Sequence, residues 1–175
     1  MSRSIQSVAI AGSGTMGAGI AALCAKAGVP VLLLDMTRET SAKALERMTS
    51  GARPLLETPE QAALVTTGSF DEDLAGIGNC DWICEAIIEN LDAKRALLTR
   101  VDEHRAPGSI VTTNTSGIPL RAITQDMSQA LCRDIAVTHF FNPVSVMALV
   151  ELGPGAQTGQ HVIPSLSAFI GDRLG

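Results

Sequence analysis

Between two short apolar runs, Val8-Ala9-Ile10-Ala11 and Val31-Leu32-Leu33-Leu34, the chain carries Gly12-Ser13-Gly14-Thr15-Met16-Gly17. The hexad matches G-x-G-x-x-G, and the alanine-rich stretch from Ala18 to Lys26 reads as a helix. Strand, glycine turn, helix, strand and a closing acid, Asp35, form the layout of a dinucleotide-binding unit. Gly12 permits the tight turn, Gly14 lets backbone approach a pyrophosphate, and Gly17 lets helix and strand pack closely. The start of the helix presents unpaired N–H groups to phosphate. A lone glycine hexad is equally a plain glycine-rich turn. Here both flanks fit, and Asp35 stands close to the expected spacing of about 20 residues.

Asp35 also bears on which nucleotide binds. A carboxylate there accepts hydrogen bonds from the adenine ribose hydroxyls of NAD and repels the 2′-phosphate of NADP. Arg38 is near enough in sequence to partner a phosphate, but it also reads as a solvated residue in the first turn of the next helix. The expected cofactor is NAD, held by Gly12, Ser13, Gly14, Thr15, Met16, Gly17 and Asp35.

The chain of 175 residues has the size of one domain. Its hydrophobic content of 46% suffices for a core, but aromatics are 3% and tyrosine is absent, so that core must be built from Ala, Val, Leu and Ile. Such a composition suits buried parallel strands under alanine-faced helices. A net charge of −5, with no basic run, argues against a nucleic-acid surface. No apolar segment approaches the length of a membrane span, and the first strand begins too soon for a secretory signal, so a cytoplasmic protein is expected. Cys24, Cys80, Cys84 and Cys132 have neither zinc-site nor disulfide-framework spacing and read as buried thiols; no metal is expected.

Helices are predicted over residues 39–50, 59–64 and 90–104, and a helical turn around residues 73–75. Strands are predicted over residues 65–67, 82–86, 109–113, 135–140 and 147–152, and a last helix over 162–174, starting late or kinked at Pro164. Strands alternate with helices, which implies an α/β, doubly wound, mainly parallel Rossmann-type sheet. The whole chain, 1–175, is expected to be one such domain.

A nucleotide fold does not name a reaction. Three stretches carry further chemistry. Glu85 and Glu89 lie at a strand end and a helix start, where α/β sheets gather ligands, although Glu89 could simply complement the helix dipole. Thr112-Thr113-Asn114-Thr115-Ser116-Gly117 ends another strand with hydrogen-bonding side chains, or is only an elaborate turn. His139 is the one histidine of three that combines a strand end with a polar loop, Phe141-Asn142-Pro143-Val144, and Glu151 sits on the segment that follows. Taken by itself, His139 is as readily a structural residue.

Together, GSGTMGAGIA, CEAIIENLDAK, NTSGIPL and HFFNPVSVMALVEL closely resemble the signature segments of the L-3-hydroxyacyl-CoA dehydrogenase family, in that family's order, from about Val8 to the C-terminus. The resemblance implies NAD-dependent oxidation of L-3-hydroxyacyl-CoA to 3-ketoacyl-CoA, as in fatty acid β-oxidation. By carry-over, His139 is the catalytic base and Glu151 its partner, Ser116 hydrogen-bonds the substrate oxygen, and Asn142 belongs to the same catalytic set. Ala86, Glu89, Lys94 and Asn114 line the nicotinamide and ribose part of the NAD site. A homo-oligomer is expected, through the apolar surface of the 162–174 segment.

Two departures keep alternatives open. The segment from Glu39 to Leu64 is shorter than the family's helical hairpin and has one lysine, Lys43, to grip the CoA phosphates. The resemblance implies a C-terminal helical domain that is expected to be absent from this chain, which is expected to end before the last strand of the first domain. A nucleotide-binding module without turnover, and a dehydrogenase of a non-CoA 3-hydroxy acid, are the competing readings.

Overall fold

A computed structural model describes residues 4–175. Seven strands form one sheet in the order β3-β2-β1-β4-β5-β6-β7. The strands are β1 (Val8–Ala11), β2 (Val31–Asp35), β3 (Val65–Ser69), β4 (Trp82–Glu85), β5 (Ile110–Thr113), β6 (Ile135–Phe140) and β7 (Val150–Pro154). Every neighbouring pair is parallel except β6 and β7, which run antiparallel. The order reverses at β1, so the ends of β1 and β4 flank the crevice where α/β sheets receive ligands.

Alternate residues of the strands feed two cores. Val8, Ile10, Val31, Leu33, Trp82, Cys84 and Ile110 face one side; Ala9, Ala11, Leu34, Ile83 and Val111 face the other. On the first side lie α1 (Thr15–Lys26), α2 (Arg38–Thr49) and α7 (Val162–Phe169); on the second lies α4 (Leu91–His104). Helix α1 buries Ala18, Ala21, Ala22 and Ala25, so its axis approaches the sheet closely without aromatic filler. The few large rings concentrate in one place. Trp82 packs at 6.5 Å from Phe140 and 5.7 Å from Phe169, and its indole Nε1 donates to Thr112 Oγ1 at 2.9 Å. The four cysteines are free and buried, and burial pushes the Cys84 thiol up to about 12, against the pull of hydrogen bonds from Thr112 and Thr138. Among the described residues, no helix is long and apolar enough to cross a membrane.

The doubly wound, mainly parallel architecture expected from the sequence is the one observed. Three local expectations need correction. The last strand begins at Val150 rather than Met147, because the N–H groups of Val146 and Met147 both donate to Pro143 O at 3.0 Å and coil that stretch into a turn. Val146, Met147 and Leu149 are consequently exposed. Helix α7 neither starts late nor kinks at Pro164. The proline occupies the first turn, where its missing N–H costs no helical hydrogen bond. Two short helices, α5 (Leu120–Ile123) and α6 (Gln129–Asp134), were not foreseen; Ser128 caps the second by accepting from Leu131 N at 3.0 Å. The third helix in chain order, α3 (Pro59–Ala63), is capped by Thr58 and lies where the sequence places it.

Leu98 is completely enclosed between α4 and the sheet. Leu98→Ala is expected to destabilise the domain by about 2–5 kcal/mol, read as a lowered urea midpoint with an unchanged slope.

Candidate active site

The site begins at the end of β1. Gly12 has φ +111°, and a Cβ there would fall 2.5 Å from the carbonyl oxygen of Ala86 at the end of β4. A Cβ at Gly17 would fall 1.8 Å from Gly12 O, so the turn and helix α1 are in backbone contact. Gly14, the N-cap of α1, is different: a Cβ there would meet nothing within 4 Å. Space is therefore open in front of the first turn, which has no side-chain cap and no acidic residue. An anion is the natural partner of those N–H groups. Of the remaining loop residues, Ser13 is buried, Thr15 exposed and Met16 half-buried.

Asp35 ends β2 beside this loop. Its Oδ2 accepts from Ser13 N at 2.7 Å and Ser13 Oγ at 2.6 Å, and its Oδ1 accepts from Met36 N at 2.7 Å. The carboxylate thus fixes the glycine loop while remaining at the edge of a cleft of about 460 Å³. Gly12, Gly14, Asp35 and Ala86 line that cleft, as the sequence suggested for a nucleotide. Arg38 is held by Asp73 at 2.7 Å and Glu72 at 3.2 Å, and so is already neutralised by two carboxylates.

Sequence reasoning missed the apolar walls of the cleft. Met36, Phe70 and Ile88 contribute to them, with Ala93, Ala96 and Arg100 along one face of α4. Two small alanines at helical spacing within an otherwise polar stretch were the available signal.

At the other end of the site, antiparallel pairing sets His139 on β6 directly opposite Glu151 on β7. His139 Nδ1 lies 2.9 Å from Glu151 Oε2. With the carboxylate accepting from Nδ1–H, Nε2 is the ring nitrogen left to take a proton. The Phe141 ring leans on the imidazole at 4.5 Å. Asn114 is tied to the same strand: its Oδ1 accepts from Phe140 N at 3.0 Å, and its own N–H donates to Glu85 O at 2.7 Å.

Ser116 and Asn142 are exposed, and no hydrogen bond links either to His139 or Glu151 among the described residues. Glu89 does not merely face its helix. It turns to the 115–117 loop, where it accepts from the Thr115 hydroxyl and from the N–H groups of Ser116 and Gly117, each at 3.3 Å. Burial raises the carboxyl pKa of Glu89, but these hydrogen bonds and Lys94 outweigh it and hold the group below its ordinary value. Lys94, expected on the wall of the nucleotide site, is instead fully enclosed and pairs with Glu85 at 2.8 Å. Among the described residues, no group of three or more His, Cys, Asp or Glu side chains is placed to hold a metal ion.

Comparison with known proteins places the chain in a family. Residues 7–173 match the family described as 3-hydroxyacyl-CoA dehydrogenase, NAD binding domain. A Bacillus subtilis (strain 168) protein described as a probable 3-hydroxyacyl-CoA dehydrogenase is 34% identical over all of this chain and 25% of its own length. A Deinococcus radiodurans protein of the same description is 37% identical over 98% of this chain and 51% of its own. The crystal structure of a (S)-3-hydroxybutyryl-CoA dehydrogenase from Ralstonia eutropha superposes with a TM-score of 0.84 at 31% identity, covering 98% of this chain and 62% of that one. The chain therefore spans between about a quarter and a half of the curated relatives it matches.

The two glycines of the loop separate packing from binding. Gly17→Ala is expected to lower both thermal stability and NADH affinity, since backbone must move. Gly14→Ala is expected to keep its melting temperature and lose NADH affinity, read by fluorescence titration.

Proposed function

We propose, from the premise that the chain belongs to the 3-hydroxyacyl-CoA dehydrogenase NAD-binding domain family, that it forms the cofactor-binding and proton-transfer half of an enzyme oxidising L-3-hydroxyacyl-CoA to 3-ketoacyl-CoA. The observation that carries this reading is the His139–Glu151 pair at 2.9 Å.

When bound, NAD supplies the acceptor for the hydride that leaves the hydroxyl-bearing carbon. The cradle fits it: Gly14 opens onto free space, the α1 N-terminus would hold the pyrophosphate, and Asp35 would accept from the adenine ribose. His139 Nε2 receives the hydroxyl proton, and the imidazolium so formed is stabilised by the Glu151 carboxylate at Nδ1. Ser116 holds the alcohol oxygen, with Asn142 beside it. Ala86, Glu89 and Asn114 would border the nicotinamide ribose, while Lys94, fully enclosed, reaches the site only through its contact with Glu89 at 3.4 Å. Glu151 is 65% exposed, so its hold on His139 strengthens when a substrate or a further protein surface excludes water. The apolar side chains of the 162–174 segment expected to drive self-association, Val162, Leu166, Phe169 and Leu174, are buried in the domain's own core; the exposed apolar residues Val146, Met147 and Leu149 beside β7 offer such a surface instead.

A second reading, a dehydrogenase of a non-CoA 3-hydroxy acid, is favoured by the pairing of the nearby lysines. Lys43 is engaged by Glu39 at 2.6 Å and Lys26 by Glu57 at 2.7 Å, which leaves little lysine charge for CoA phosphates. Reduction rates of acetoacetyl-CoA against acetoacetate with NADH separate the two, measured on this chain and on one extended to the length of its relatives. Preference for the free acid would overturn the acyl-CoA assignment.

In a form that turns over, His139→Gln is expected to lower kcat by about 10²–10⁴-fold while leaving NADH affinity unchanged. Unaltered turnover would make His139 a structural residue. Hydrogen bonds to a charged group contribute about 1.5–3 kcal/mol, so NAD(H) is expected to bind about tenfold or more tightly than NADP(H). Asp35→Ala should narrow that gap in calorimetry.

A further inference from the structure

Glu85 and Lys94 are an unusual pair to find in the middle of a small domain, since both side chains are completely enclosed. Lys94 Nζ lies 2.8 Å and 3.0 Å from the two Glu85 oxygens. Those oxygens also accept from Ile87 N at 2.8 Å and Thr113 Oγ1 at 2.5 Å, so the Glu85 carboxylate is satisfied on both sides. Its charge is already matched by Lys94. Yet Lys94 makes one more contact, 3.4 Å to Glu89 Oε2, and the other oxygen of Glu89 gathers Thr115, Ser116 and Gly117. A single carboxylate thus joins a buried ammonium to the loop that carries Ser116.

The same loop is tied a second time, through Asn114, to the N–H of Phe140, the residue after His139. One tether refers Ser116 to the strand of His139; the other refers it to a charge enclosed between β4 and α4. Enclosed ions are costly to move or to strip of a partner, so the second tether is stiff at its root.

We propose that the Glu85–Lys94 pair is a positioning device that acts through Glu89 to hold the 115–117 loop, and with it the Ser116 hydroxyl, in register with His139. The proposal rests on the dehydrogenase reading above. Glu89 is then a positioning residue that carries no proton in the reaction. Lys94 sets the direction of its carboxylate, and Thr115 with the two backbone N–H groups receives it. A purely structural ion pair would need none of this: Glu85 and Lys94 would suffice, and Glu89 could point to solvent.

The test uses three variants. Lys94→Met alone strands Glu85 and risks misfolding, so Glu85→Gln/Lys94→Met removes both charges together. Thr115→Val cuts the loop's hydroxyl link and leaves the buried pair alone. Glu89→Gln keeps the shape and removes the charge. The first readout is the amide proton resonances of Ser116 and Gly117 during an acid titration of the full chain, which requires no turnover. The groups facing Glu89 are Lys94 and, behind it, Glu85. In the unaltered protein both amides should shift as the Glu89 carboxyl protonates, below the ordinary carboxylate range. The order that Glu89 confers is present at higher pH and lost as pH falls through that lowered pKa. In the double variant the midpoint should move upward, and in Glu89→Gln the transition should vanish.

The second readout is steady-state kinetics in a form that turns over. A misplacement of about 1 Å can cost as much as about 10²-fold, and a loss of about that order in kcat is expected for Thr115→Val and the double variant, with NADH affinity unchanged in Thr115→Val. Folded variants whose Ser116 and Gly117 amides titrate as in the parent would overturn the proposal, as would unchanged kcat. If the parent shows no dehydrogenase activity, that failure belongs to the functional reading, and the amide titration alone decides the positioning.

Discussion

Backbone contact between the first turn and its neighbours is the constraint on which the molecule depends. Gly12 lies so close to Ala86 that even a methyl group would meet its carbonyl oxygen, and Gly17 lies closer still to Gly12. These approaches bring the ends of β1 and β4 and the start of α1 to one point. Asp35 locks the arrangement from the side through both the N–H and the hydroxyl of Ser13. A ligand arriving there meets N–H groups and open space, and the protein need not rearrange to receive it.

The second constraint is a reversal of direction. Six strands run parallel, and β7 alone returns against β6. A parallel neighbour would need a long crossover, whereas the short connection 141–149 carries the chain straight back. The return sets Glu151 across from His139, so the orientation of the imidazole follows from sheet pairing. A slip of one residue would turn Glu151 to the opposite face.

Charges are treated in opposite ways at the two ends of the site. Glu151 is largely exposed, and its effect on His139 depends on what covers it. Glu85 and Lys94 are fully enclosed and saturated with partners, so they hold whatever they touch. Glu89 stands between these regimes, with one oxygen on the buried lysine and the other on the loop. Its lowered pKa records the balance, since hydrogen bonds and Lys94 prevail over desolvation.

Local chemistry was legible in the sequence because it depends on neighbours along the chain. Short continuous apolar runs defined the strands, glycine positions defined the turn, and the caps Thr37, Thr58 and Asn90 lie where helices were expected to begin. The family's signature segments pointed to His139, Glu151, Ser116 and Glu89 before any contact was known. Contacts between distant residues had to await tertiary structure. That Lys94 is buried follows from how α4 lies on the sheet, which presents Lys94 to Glu85 on β4. A polar helix position in the sequence reads as solvent-facing. The displaced start of β7 follows from a turn closed on Pro143 O. The cleft walls at Met36, Ile88 and Arg100 arise where three separate elements meet. Sequence alone determined which groups are available and which elements carry them. Which groups meet was decided by register and helix orientation, because those are set by the packing of the whole sheet.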